Sequence, residues 1–107
     1  MEETAMTEAI EITTFKLAKG HTCDDFVAGN ADVDKWLARQ PGFRARRIAQ
    51  REDGVIVDML IWASADDAVS AMHRLMDELR DSPVHAMINQ KTVAWTVSSV
   101  FHAVDAA

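Results

Sequence analysis

The stretch FRARRIAQREDGVIVDMLIWAS, residues 43–64, decides how this chain folds. Asp53-Gly54 at its centre is a strong hairpin signal, because the two central positions of a tight type I′ turn need a positive φ. On either side, 43–52 and 55–63 read as antiparallel strands. A two-residue loop pairs Glu52 with Val55 and puts Asp58 opposite Ala49, with Arg47 and Arg51 as same-face diagonal neighbours. Asp58 is therefore expected to pair with Arg47 or Arg51. Arg44, Arg46, Arg47 and Arg51 make a basic strip, read as interface pairing and strand edge. The second strand is apolar on both faces, with Val55, Val57, Met59 and Ile61 on one and Ile56, Leu60 and Trp62 on the other. An antiparallel strand with one face in water alternates. This one does not, so helices are expected over one face and a second copy of the chain over the other.

Outward from the hairpin, residues 9–17 (AIEITTFKL) are β-branched and aromatic enough for a strand. Thr22 or Asp24 caps a helix that runs to about Arg39 on the stripe Phe26, Val33, Trp36 and Leu37, with Asn30 on the same stripe. Gln40-Pro41-Gly42 stops it. Beyond the hairpin, Ser64 caps a helix over 65–80, with Asp66 and Asp67 in its first turn and Val69, Met72, Met76 and Leu79 expected inward. Ser82 and Pro83 restart the chain as cap and first helical residue of a short helix over 84–89. Residues 92–104 read as a closing strand whose parity changes at Ser98-Ser99, the mark of a bulge or a twist. The order β-α-β-β-α(α)-β is the split βαβ pattern of an α+β, ferredoxin-like fold. It implies a four-stranded antiparallel sheet with helices on one face, over a single domain of residues 9–107 after a flexible extension of residues 1–8.

Composition bounds the function. The 107 residues fit one domain, 49% of them apolar and 26% charged. Eleven Lys and Arg against seventeen Asp and Glu give a net charge of −6, which argues against a nucleic-acid binder with its basic face. A lone cysteine, Cys23, excludes an intrachain disulfide framework. No apolar run approaches the ~20 residues of a membrane span, and Met1-Glu2-Glu3 is unlike a secretory signal. A cytoplasmic protein without a membrane partner is expected. No GxGxxG, Walker, GxSxG or HExxH motif occurs, and no two histidines stand four apart on a helix. Neither a cofactor nor a metal is expected.

Gln40-Pro41-Gly42-Phe43 leading into a strand, Asp53-Gly54, the run from Asp58 to Trp62-Ala63-Ser64 opening a helix, and the closing strand together resemble the dimeric α/β barrel superfamily. That superfamily includes antibiotic-biosynthesis monooxygenases and heme-degrading monooxygenases, and the resemblance covers residues 9–104. It implies a homodimer with sheets packed face to face into a barrel, and a small-molecule pocket in each subunit between sheet and helices. The pocket is expected at Phe26, Asn30, Trp36, Leu37, Met72, Met76 and His85, with Asn30 or His85 orienting a ligand oxygen or moving a proton. The catalytic set departs from the pattern of the heme-degrading members and of the cofactor-free, quinone-forming ones alike, which the resemblance associates with an Asn and a Trp: the first strand offers Thr13, Thr14 and Phe15 and no Asn, and residues 65–90 hold no Trp. The function implied is cofactor-free oxygenation or isomerisation of a small apolar or aromatic substrate. The alternatives are a non-catalytic binding or interaction protein on the same dimer, and a heme-binding protein using His85.

Overall fold

The computed structural model describes residues 7–106. Four strands, β1 (Ala9–Phe15), β2 (Phe43–Gln50), β3 (Ile56–Trp62) and β4 (Ala94–Ser99), form one antiparallel sheet in the order β2-β3-β1-β4. This is the ferredoxin-like arrangement that the element order implied. Three helices, α1 (Cys23–Gly29), α2 (Ala31–Leu37) and α3 (Ala65–Glu78), pack against one sheet face. Side chains alternate across the sheet, and Phe15, Ile56, Leu60 and Trp62 join Phe26, Val33, Trp36, Leu37, Ala68, Ala71 and Val84 in a single core. Ile10, Ile12, Val57, Met59 and Ile61 point the other way and are only half-buried.

The hairpin register differs from the expected one by a single residue. Arg51 N–H donates to the Val55 carbonyl (2.8 Å) and Gly54 N–H to the Arg51 carbonyl (2.9 Å), so the loop has three residues, Glu52 to Gly54, with Gly54 at φ +89°. Three-residue loops that close on a left-handed glycine are the next commonest hairpin after the two-residue kind. Asp58 therefore faces Ile48 instead of Ala49. A one-residue slip exchanges the two faces of a strand, so Arg46 takes the place expected for Arg47 or Arg51. Between Phe43 and Ala45 the register shifts again, at a bulge.

The helix expected from Thr22 to Arg39 is broken at Asn30. Thr22 caps α1 in a full capping box with Asp25, but Gly29 and Asn30 are both poor helix formers, and the Asn30 amide donates to the Phe26 carbonyl (2.7 Å). Asn30 thus ends one helix and opens the next, and α2 stops at Leu37 before the turn at Gly42 (φ +82°).

Ser64 caps α3 as expected, accepting from Asp67 N–H. The buried face of α3 is Ala68 and Ala71, not the expected stripe: Val69 and Met76 are exposed, and Met72 and Leu79 are half-buried. Small residues let the helix approach the sheet, so the larger side chains flank the contact instead of filling it. Ser82 and Pro83 act as cap and first residue, but of a short 3₁₀ helix, Pro83–Met87, and Ile88 leaves it to bridge Leu17. A second 3₁₀ turn, Gln90–Thr92, precedes β4. β4 is shorter than expected and pairs with β1 in unbroken register with no bulge; Phe101 and Val104 beyond it are exposed. Residues 1–6 of the expected extension lie outside the described residues, whereas Glu8 accepts from Val100 N–H (2.8 Å) and pairs with Arg44 (2.6 Å).

Candidate functional site

Sheet and helices do not close on each other completely. Between them lies a cavity of about 400 Å³, within the roughly 300–1,000 Å³ of small-molecule sites. Its walls are Phe26, Asn30, Val33, Trp36 and Leu37 from α1 and α2, Ala71, Met72, Leu75 and Met76 from α3, and Val84, His85 and Ile88 from the 3₁₀ segment. Its floor is the inward face of the sheet: Glu11, Thr13, Phe15, Arg46, Asp58, Leu60, Trp62 and Trp95. All seven residues singled out from the sequence line this one space. Met76, Val93 and Trp95 line it while remaining partly open to solvent, which marks the mouth.

The floor carries a carboxylate that sequence reasoning missed. Glu11, in the middle of β1, is 8% exposed. Trp62 Nε1–H on β3 donates to its Oε1 (2.8 Å) and Trp95 Nε1–H on β4 donates to its Oε2 (2.7 Å). Burial raises the Glu11 pKa above the ordinary 4.5; the two indole donors pull it back, Asp58 pushes it further up and Arg46 lowers it. Strand parity was the available signal. Glu11 shares its face with Phe15, so an acid there had to point at the core.

Asp58 and Arg46 form a second buried polar group. Arg46 Nε and Nη2 donate to the two Asp58 carboxylate oxygens (3.0 and 2.6 Å), a two-pronged pairing between β2 and β3. The same guanidinium donates to Asn30 Oδ1 (2.8 Å) and Asp34 Oδ1 (2.8 Å), tying the break between α1 and α2 to the sheet. Burial lowers the Arg46 pKa, but Asp58 and then Asp34 outweigh it and the net direction is up. Asn30 is 1% exposed and finds its partners inside the protein, in Phe26 and Arg46. Arg47 turns to the Arg46 carbonyl and Arg51 to Asp53, so neither expected partner reaches Asp58.

His85 lines the cavity, and its Nε2 lies 2.8 Å from the Leu79 carbonyl. A carbonyl only accepts, so Nε2 carries a proton directed at it. Iron ligation through Nε2 would require His85 to give up this bond. His21, His73 and His102 are exposed and lie outside the lining. Among the described residues, no three His, Cys, Asp or Glu side chains converge to hold a metal ion, and no helix is long and apolar enough to cross a membrane. The chemistry that this arrangement offers is apolar binding with acceptor groups at the floor and at one wall.

No family model and no curated protein matches the chain. Solved structures do. SnoaB, a cofactor-independent oxygenase from Streptomyces nogalater, superposes with a TM-score of 0.71 at 17% identity, over 92% of this chain and 97% of its own. The monooxygenase from the gene ActVA-Orf6 of Streptomyces coelicolor, solved in complex with nanaomycin D, gives 0.64 at 17% identity over 100% of both chains. At such identities the likeness establishes architecture, and chemistry has to come from the site itself. The chain shares the ferredoxin-like fold of these two oxygenase structures.

Proposed function

We propose that this protein takes a small aromatic substrate into the cavity and oxygenates it without a cofactor. The observation that carries this reading is the cavity: about 400 Å³, walled almost entirely by apolar and aromatic side chains, with a few polar groups at its floor. Sites of that make-up suit ligands of low polarity oriented by few hydrogen bonds. The fold likeness to a cofactor-independent oxygenase supports the reaction class. For a ring ketone with an acidic CH2 group, the balanced reaction converts CH2 and O2 to C=O and water. The working unit in this reading is a homodimer joined through the half-buried outer sheet face, in the cytoplasm.

Trp36, Trp62 and Trp95 all line the cavity and are the chain's full complement of tryptophan. Ligand entry is therefore expected to change intrinsic fluorescence. The test is titration with anthrone, a tricyclic ketone carrying such a CH2 group, alongside oxygen-electrode measurements in chelator-treated buffer. Saturable quenching with protein-dependent oxygen uptake is the expected result. Quenching without uptake would leave a non-catalytic binding protein, and no quenching would remove the cavity as a site.

A further inference from the structure

We infer that Glu11 is the catalytic base of this cavity, drawing a proton from the ligand while the indole N–H groups of Trp62 and Trp95 hold its two oxygens in place. The inference rests on the proposed small-molecule reading and adds a catalytic group to it. Three features converge on Glu11. It lies on the cavity floor, so its oxygens meet whatever fills the space. Each oxygen receives one donor, from neighbouring strands on opposite sides of β1, which fixes the plane of the carboxyl group and leaves lone pairs for a further proton. A purely structural acid in a core normally meets a cation, as Asp58 does in Arg46. Glu11 has two neutral donors instead, an arrangement that orients it without neutralising it.

The proton transfer balances simply. A C–H bond of the ligand breaks, its electron pair stays on the ligand as an enolate delocalised into the ring system, and the proton forms an O–H bond on Glu11. The enolate is the species that then meets dioxygen. A base works best when its pKa lies near the working pH, and burial moves Glu11 upward in that direction. The charged groups facing it are Asp58 from β3 and Arg46 from β2; His85 from the 3₁₀ segment shares the cavity, and the α3 residues lining it, Ala71, Met72, Leu75 and Met76, are uncharged.

Proton abstraction is measured without oxidation by following exchange of the anthrone CH2 protons in D2O under nitrogen, by NMR, with fluorescence titration of the same samples. Wild type is expected to speed exchange over buffer, with a rate that rises with pH through an inflection above 4.5. Glu11→Gln is expected to bind anthrone and to lose at least ~100-fold in exchange rate. Glu11→Asp, which keeps the carboxyl but withdraws it by one methylene, is expected to recover part of that loss and covers the case in which the Gln variant does not fold. Binding with undiminished exchange in Glu11→Gln, or binding by wild type without any acceleration, would overturn the assignment of the base while leaving the binding site intact. Absence of anthrone binding to wild type would instead overturn the small-molecule reading, and the base with it.

Discussion

At Glu11 two demands meet on one side chain. Both oxygens are acceptors for indole N–H groups, and glutamine cannot reproduce that, because its NH2 would face one of the donors. One buried N–H is then left without a partner, which costs about 1–3 kcal/mol. Glu11→Gln is therefore expected to lower thermal stability, and the size of the loss should depend on pH. The Glu11 pKa is raised in the folded protein, so the native state binds this proton more tightly than the unfolded chain. Its contribution to stability is full below 4.5 and is lost as pH rises through the folded value. The gap between wild type and Glu11→Gln, read from melting curves at pH 4 and pH 8, is expected to be wider at pH 4. A gap that widens toward pH 8 would mean that the carboxylate form is the stabilised one.

The elements show which features are legible along a chain and which are not. Strand β3, the cap at Ser64 and the Ser82-Pro83 restart were readable because each is local: a turn, a hydroxyl at a helix start, a proline at its first position. The register of β2 on β3 was not, since Asp53-Gly54 fits a two-residue or a three-residue loop equally well and only packing chooses between them. That single residue decided the partner of Asp58, and it can be tested. Arg46→Ala leaves the buried Asp58 carboxylate without its cation, a loss of about 3–5 kcal/mol. Arg47→Ala and Arg51→Ala touch exposed side chains and should change stability by under ~1 kcal/mol. Chemical denaturation of the three variants distinguishes the registers, and equal losses would contradict the pairing described here. Ser64→Ala removes the hydroxyl that accepts from Asp67 N–H, and about 1 kcal/mol of stability should go with it.

Across the whole molecule, the cavity was legible as a set of residues but not as a mechanism. Phe26, Asn30, Trp36, Leu37, Met72 and Met76 were found because they are large or polar residues on helical stripes, and His85 because it follows Pro83 at the start of the short helix, whereas Glu11 sits between two isoleucines and is defined by partners 51 and 84 residues away. The outer sheet face poses the complementary question. Ile10, Ile12, Val57, Met59 and Ile61 cluster on β1 and β3, the two central strands, and the edge strand β4 carries Thr96 and Ser98 on that same face. An apolar centre with a polar rim has the anatomy of a protein interface. If two copies meet there, Met59 lies near the middle, and Met59→Asp would bury a carboxylate in the apolar centre, with the exposed Arg47 opposite it on β2 as its neighbouring cation. Such a change costs several kcal/mol at an interface, and even ~2.7 kcal/mol of it raises a dimer dissociation constant about 100-fold. Met59 is half-exposed in the single chain, so the variant should keep its helical and strand signal in circular dichroism. Sedimentation at micromolar concentration is expected to give a dimer for wild type and a folded monomer for Met59→Asp. A variant that stays dimeric would move the interface away from this face, and a monomeric wild type would leave the apolar face of β3 uncovered, against the reasoning that both of its faces are buried.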